Sequence, residues 1–335
     1  MNELKEYKSK KSRLGSIDAV SGLLIMFMIT MHALQFTDNT NTNFYYWINI
    51  IFSFFMPYFF FKSGMFFKGD SSKICFKKNA IKYFTPFLFY IVVGEIIRDV
   101  RLYIDENLTI SDIVINSLKI LVQGSTPGNA PLWFLLTLFF VRNISNYVLI
   151  RSLSLKFILP ILLISSSIII NFVSDCIYFP FWIGNTLLGC FFYLIGYLFN
   201  SIQYNKIIFV CSLFGYFSIM LLQPSLVNFW KSILIYGNFY IWVIFSLCGI
   251  LVFNNVFERI KLLNFHVLIN IGEDSMSYYC FHWIWFNIVG IFFLLFPIIE
   301  NINKFYFLIL SCVIVLPVYS YVCKIIKRKY NIFYL

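Results

Sequence analysis

The amino-acid sequence predicts an all-α fold: a polytopic integral membrane protein built as a helical bundle of about ten transmembrane helices. Hydrophobic residues make up 60% of the 335 positions and charged residues only 12%, which is half of the roughly 25% that soluble domains carry. The 42 Phe and 22 Tyr add bulky side chains that water solvates poorly. This composition excludes intrinsic disorder, which requires low hydrophobicity, and it argues against a soluble enzyme or a secreted disulfide scaffold.

Ten apolar runs justify the ten helices, because a spanning helix needs about 20 mostly apolar residues. The first run follows a charged N-terminus and lacks a small-residue cleavage site, so we expect it to remain as a span. No internal repeat is visible, so the sequence lacks the inverted-repeat signature of many transporters. The runs are 15–36, 45–67, 81–97, 132–150, 157–173, 180–199, 207–222, 237–254, 276–297 and 303–325.

The basic residues predict the orientation of these helices. If the N-terminus is cytoplasmic, nineteen Lys and Arg fall on the cytoplasmic side and five outside, which matches the excess of positive charge in cytoplasmic loops. We therefore place both termini in the cytoplasm, with 1–14 and 326–335 as basic tails. Residues 98–131 form the longest extracytoplasmic loop, with room for a short surface helix. The whole chain, 1–335, is one membrane-embedded domain whose partner is the lipid bilayer, and no nucleic acid is expected.

The first span carries Asp18, Ser21 and His32 among Leu, Ile, Met and Phe. At 3.6 residues per turn these three side chains fall on one face of the helix. Polar and ionisable groups within a span are costly and by default suggest function. His32 lies in the outer part of the span, where it is either a catalytic base or an interfacial histidine hydrogen-bonded to a neighbouring helix.

A second polar cluster begins the ninth span, where Ser275, Tyr278 and His282 can share one face. The alternative is an ordinary helix start, with Ser275 near the cap and His282 paired locally. We expect His282 in the inner half of the membrane, nearer a donor site or in a structural role. The third histidine, His266, falls in a cytoplasmic loop, so His32 and His282 are the candidates for imidazole chemistry.

Other features fall between and within the early spans. Lys77, Lys78 and Lys82 form a cluster at a cytoplasmic mouth, where they either hold the phosphates of a nucleotide-like donor or only set the topology. Trp133 suits either an outer pocket or an interfacial aromatic belt. Glu95 is either a buried carboxylate that shapes that pocket or a partner for Arg98 one turn later.

These segments carry five motifs in order, and together they resemble acyltransferase family 3, the membrane-bound O-acyltransferases and O-acetylases that modify bacterial surface polysaccharides. The resemblance covers nearly the whole chain. The matching residues are Asp18, Gly22 and His32; then Pro57, Phe60, Phe61, Ser63 and Gly64; then Lys78, Lys82 and Pro86; then Pro131 to Phe134; and finally Gly272, Ser275, Met276, Tyr279 and His282.

The resemblance implies ten spans in a bacterial cytoplasmic membrane and an O-acetyltransferase reaction. The donor would be cytoplasmic acyl-CoA, most simply acetyl-CoA, bound with the help of the lysine cluster, and no metal is implied. The acceptor would be a hydroxyl of an exported or lipid-linked glycan. His32, with Asp18, would be catalytic, and His282, Ser275, Tyr279, Glu95, Trp133 and Ser21 would form a second tier.

The chain departs from the family pattern at Ser21, since the family often has Arg or Lys eleven residues before the first-span histidine. In the family this basic residue is implicated in handling the acyl donor. Arg13 and Lys82 are the candidates to replace it. Two other hypotheses remain open: a glycan or small-molecule transporter with a proton relay through His32 and Asp18, and a non-catalytic membrane scaffold. The eight Cys include no CxxC pair and are expected to be small core hydrophobes.

Overall fold

A computed structural model describes residues 2–173, 179–199, 206–260, 266–296 and 303–330. Part of the predicted C-terminal tail, 331–335, lies outside the described residues. The helices α1 to α14 are Asn2–Phe36, Asn43–Ile51, Phe55–Met65, Ser72–Asn79, Thr85–Ile104, Ile110–Gln123, Trp133–Ile150, Leu155–Ile168, Phe181–Phe199, Lys206–Leu222, Phe239–Arg259, His266–Glu273, Ser275–Leu295 and Lys304–Tyr330. Short helical turns at 80–84, 127–132 and 169–173 extend several of these helices.

The polytopic helical bundle is confirmed. Within the described ranges, nine helical stretches are long and apolar enough to cross a membrane. The tenth predicted span is present as α10, an apolar helix of 17 residues, which is at the lower limit of spanning length. The nine stretches are Gly15–Phe36, Asn43–Met65, Ser72–Ile104, Ile113–Ile150, Leu155–Phe172, Phe181–Phe199, Phe239–Arg259, Ser275–Leu295 and Lys304–Ile326.

Glycines let two helix pairs approach closely. A Cβ on Gly22 of α1 would overlap the carbonyl of Leu268 in α12, and a Cβ on Gly272 would overlap that of Asp18. In the same way, Gly64 of α3 meets the backbone of Tyr193 in α9. Small residues at such crossings allow backbones to pack tightly where no hydrophobic effect drives helices together. The packing of α12 against α1 sets the depth at which α13 begins.

Two segments outside the long helices lie at the Phe36 end of α1, here called the pocket end. A two-stranded antiparallel hairpin lies there, with β1 at Leu226–Asn228 and β2 at Ile233–Tyr236, paired so that Val227 faces Leu234. The turn at 127–132 contributes to the same end, since both segments line one cavity with the last turns of α1. The predicted loop 98–131 contains the end of α5 and all of α6. The Gly15 end of α1 is called the tail end.

The orientation of the bundle stays a prediction that labelling can test. A cysteine introduced at Asn41, which is exposed at the pocket end, should react with a membrane-impermeant maleimide added to intact cells. A cysteine at Lys73, exposed between α3 and α5, should react only after the membrane is opened, because the charge distribution places it in the cytoplasm. Labelling of position 73 in intact cells would reverse the assignment. The native protein provides the background signal.

Candidate active site

A cavity of about 620 Å³ opens at the pocket end, and we call it the histidine pocket. Its volume falls within the range of small-molecule sites, and its mixture of aromatic walls and a few polar groups is typical of them. Burial raises the pKa of Tyr236, so this phenol stays neutral. The walls include Met28, Met31, His32 and Gln35 from α1; Tyr45, Tyr46 and Asn49 from α2; Pro131 and Trp133; Asn228, Trp230, Lys231 and Tyr236 from the hairpin; and Tyr279 and Trp283 from α13.

His32 is held by a chain of polar side chains that fixes its protonation pattern. The Gln35 side chain donates from Nε2 to the Tyr45 hydroxyl at 3.0 Å, so its Oε1 is the atom that faces the imidazole. His32 Nδ1 therefore carries the proton and donates to Gln35 Oε1 at 2.8 Å. A neutral imidazole has one donor and one acceptor nitrogen. The Nε2 of His32 is thus left with the free lone pair that a general base requires.

The structure corrects the expected separation of the two histidines, because His282 lies beside His32. The two imidazole rings stack with centroids 5.4 Å apart. The reason is α12, whose close packing against α1 near Asp18 and Gly22 means that α13 starts well inside the bundle. Because α13 begins at that level, His282 on α13 lies at nearly the same height along the bundle as His32 on α1.

His282 is fully buried, and its ring is fixed by the backbone of its own helix. Its Nδ1 donates to the Tyr279 carbonyl at 2.8 Å, which is the local pairing that the sequence left open. Within the described residues its Nε2 has no hydrogen-bond partner. A buried polar atom without a partner is costly, and here it lies next to the candidate base.

The turn 127–132 forms one wall of the pocket, and predicted second-tier residues hold it in place. Glu95 accepts a hydrogen bond from the Gly128 backbone N–H at 2.5 Å and also pairs with Arg98 at 3.1 Å. Glu95 is thus the partner of Arg98 that the sequence suggested, and through Gly128 it also supports the turn that lines the pocket. The Tyr279 hydroxyl donates to the carbonyl of Pro131, and Trp133 lines the pocket.

Asp18 and Ser21 do not lie in the histidine pocket, although they share its helix. Asp18 is fourteen residues before His32, roughly 21 Å along the helix axis. Its carboxylate pairs with Lys62 Nζ of α3 at 2.8 Å, and the same ammonium donates to Ser21 Oγ at 2.6 Å. The Lys62 and Asp18 side chains are 19% and 21% exposed. The structure therefore places a cation at Ser21 from the second span, where the sequence analysis expected one from Arg13 or Lys82.

The remaining predicted residues lie nearer the tail end. Ser275 begins α13, next to Asp274, whose carboxylate pairs with Lys324 at 2.6 Å. Lys77 and Lys82 are exposed on α4 and the following turn, and Lys78 pairs with Asp70 at 2.8 Å. In the described part of the chain, no three His, Cys, Asp or Glu side chains are grouped as a metal site.

Sequence reasoning missed a second half-buried cation, Arg142 of α7. Its guanidinium donates to Ser63 Oγ at 2.8 Å and to Asn79 Oδ1 at 3.1 Å, and it lies 5.5 Å from the centre of the Tyr83 ring. Arg142 and Lys62 both stand inside predicted spans, which is itself the signal that marks functional ionisable residues. Gln35 gave no such signal, because its role depends on the fold of α2 against α1.

Comparison with known proteins adds one finding. A family model for acyltransferase family 3, described as an acyltransferase domain, matches residues 14–322. No curated protein and no solved structure matches the chain. The matched range includes both histidines, Lys62 and Arg142.

Proposed function

The chain belongs to acyltransferase family 3, and from this we propose that it transfers an acyl group, most simply acetyl, from cytoplasmic acyl-CoA to a glycan hydroxyl. Family membership makes the chain a multi-pass membrane acyltransferase, so the transporter and scaffold hypotheses are set aside. The acceptor in this proposal is an exported or lipid-linked glycan, and the membrane is the cytoplasmic membrane of a bacterium. The observation that carries the proposal is His32, which lines a cavity at the pocket end with its Nε2 left unprotonated.

The histidine pocket suits a sugar better than an apolar acceptor. Its polar wall groups include Gln35, Asn49 and Asn228, which can pair with hydroxyls as donors or acceptors. Trp133 and Trp230 offer flat apolar surfaces beside them. A site that hydrogen-bonds hydroxyl groups also discriminates strongly against analogues that lack them, because its own polar groups would then be left unpaired.

In the proposed mechanism, His32 Nε2 removes the proton from the acceptor hydroxyl while the oxygen attacks the thioester carbonyl. A carbon–oxygen bond forms, the carbon–sulfur bond breaks, and the CoA thiolate takes the proton from the imidazolium. Histidine suits this exchange because its ordinary pKa is close to neutral. Gln35 supports it, since a hydrogen bond from Nδ1–H to Oε1 keeps the imidazole in the reactive tautomer and orientation.

The donor would approach from the tail end, where the described cations are concentrated. Lys77, Lys78 and Lys82 are placed to attract the CoA phosphates, as compact charges on flexible side chains. Deeper in the bundle, Lys62 of α3 contacts Ser21, which shares a face of α1 with His32 and lies nearer the tail end. The path from donor to acceptor then follows this face.

Replacing Lys77, Lys78 and Lys82 together by Gln should raise the KM for acetyl-CoA several-fold with little change in kcat. The reason is that exposed charges provide salt-screened attraction and take no part in the chemistry. Added salt should reproduce part of the effect in the unaltered protein. Initial rates in membranes of known orientation measure both constants. An unchanged KM in the triple variant would leave the cluster with a topological role only.

Incubation of membranes with acetyl-CoA labelled in the acetyl group tests the proposed function directly. The label should appear in glycan, and mild alkali should release it as acetate, because an O-ester is labile to base. Membranes without the protein are the control. Label that stays in acetyl-CoA, or appears on protein alone, would contradict the proposal.

A further inference from the structure

A second cavity, of about 500 Å³, lies at the pocket end next to the histidine pocket. Phe36 separates the two, since its ring packs 5.9 Å from that of Trp283, which lines the histidine pocket. The second cavity is formed by the end of α1 with the turn after it, the end of α5, the last turns of α13 and the start of α14. Nothing in the proposed reaction uses it.

Two cations line the second cavity, and both rest on aromatic rings. The Arg101 guanidinium carbon lies 5.1 Å from the centre of the Phe36 ring, and Lys304 Nζ lies 5.7 Å from that of Phe293. Neither has a carboxylate within ion-pair distance among the described residues. Gly290 makes room for the arginine, because a Cβ there would stand only 2.9 Å from Arg101 Cδ. The Arg101 head group is thus held in place while its donors remain available.

Two carboxylates complete the charge pattern. Asp38 follows the end of α1 and Asp105 follows the end of α5, and both are exposed residues that line the cavity. Two positive and two negative side chains therefore face one space. A purely anionic ligand would meet repulsion from the aspartates, while a ligand that carries both a phosphate and an ammonium group would find partners for each.

The surface beside the cavity is apolar and exposed. Ile96 and Tyr103 on α5 are 58% and 75% exposed, and Leu295 on α13 and Tyr306 on α14 are 56% and 64% exposed. In a bilayer such side chains lie against lipid, with tyrosine at the level of the headgroups. A molecule with its polar head in the cavity could lay its acyl chains along these helices.

We propose that the second cavity binds the headgroup of an aminophospholipid. The phosphodiester lies between Arg101 and Lys304, where a guanidinium gives paired, charge-assisted hydrogen bonds. The primary ammonium lies beside Asp38 and Asp105. A bound headgroup would connect the ends of α1, α5, α13 and α14 that line the cavity. The site therefore lies close to the candidate base, since His32 stands on α1 one turn before Phe36.

Native mass spectrometry of the detergent-solubilised protein tests this proposal, using phosphatidylethanolamine, phosphatidylglycerol and phosphatidylcholine of identical acyl chains. The unaltered protein should bind phosphatidylethanolamine at least fivefold more tightly than either of the others. Arg101→Gln and Lys304→Gln should each abolish that preference. Arg151→Gln is the matched control, because Arg151 also lies over an aromatic ring, 5.5 Å from the centre of Tyr147, but outside the cavity. Equal binding of all three lipids by the unaltered protein would overturn the proposal.

Neutralising the two carboxylates provides an independent test of lipid selectivity if the variants at Arg101 and Lys304 fold poorly. Asp38→Asn with Asp105→Asn removes only exposed carboxylates, and Asn tolerates the positive φ of 56° at position 38. This variant should bind phosphatidylglycerol at least as tightly as phosphatidylethanolamine. Glycerophosphoethanolamine, which lacks acyl chains, should compete only at much higher concentration, because the exposed helix faces contribute to lipid binding. A double variant that keeps the original preference would equally overturn the proposal.

Discussion

His32→Ala is expected to lower the rate of acyl transfer by about 10²–10⁴-fold, the usual contribution of a positioned general base. The loss should fall on kcat, because His32 acts on the proton of the acceptor hydroxyl and holds neither the donor nor the glycan. Transfer of labelled acetyl to glycan, with the amount of protein in the membrane measured in parallel, gives the rate per molecule. The variant should remain in the membrane at a normal level.

Two comparisons make this result specific. His266→Ala is the matched control, since His266 is exposed at the start of α12 and far from the pocket by its place in the fold. It should leave transfer unchanged. Gln35→Leu removes the hydrogen bond that fixes the His32 tautomer, and with it the bond to Tyr45 and one polar group of the pocket wall. It should therefore lower kcat less than His32→Ala does, and it should also raise the KM for the acceptor. A fully active His32→Ala variant would exclude the imidazole as the base.

His282 contributes in a different way. The sequence placed it far from His32, yet the rings stack at 5.4 Å. Since its Nδ1 is bound to the helix backbone, its ring can orient its neighbour without exchanging a proton with it. It therefore acts as a positioning residue in the proposed mechanism, with a smaller effect than His32.

The sequence predicted most of the fold because spanning length and apolar composition are local properties. Within the described residues each of the ten predicted segments is mainly helical, although 45–67 is divided between α2 and α3, and only α10 falls short of the usual length. The depth of each helix is not local, however. The position of His282 depends on α12, which packs on α1 through Gly22 and Gly272, and no pattern within residues 275–297 reveals it.

The candidate site could be predicted only in part, because the sequence shows which residues are unusual within a span but not how the helices pack. His32 was found because a histidine within a span stands out, and it does line a cavity. Asp18 was grouped with it, since the two share a helix face, but helical rise separates them by roughly 21 Å. The partner of Asp18, Lys62, stands 44 positions later, and its pairing depends on how α3 packs against α1.

The ammonium beside Ser21 is expected to be needed for transfer, whichever helix carries it. Lys62→Met should lower transfer more than tenfold and should also destabilise the protein, because it leaves the Asp18 carboxylate without its partner. Removing one partner of a fully buried ion pair typically costs about 3–5 kcal/mol, and the cost here should be smaller because both side chains are partly exposed. Adding Ser21→Lys to Lys62→Met returns an ammonium to the same space from α1, within reach of Asp18. The swapped variant should recover most of the lost transfer and stability.

A further variant separates function from stability. Lys62→Met with Asp18→Asn removes both charges, and a neutral pair of similar volume is often as stable as a buried ion pair. Its Tm should therefore return close to that of the unaltered protein while transfer stays low, because the proposed donor path has lost its cation. Measurements of Tm and of labelled acetyl transfer on these three variants and the unaltered protein distinguish the two roles. If the neutral pair restores transfer along with stability, the ion pair only supports the packing of α1 against α3. The donor must then be guided by other residues, of which Arg142 is the next half-buried cation within a predicted span.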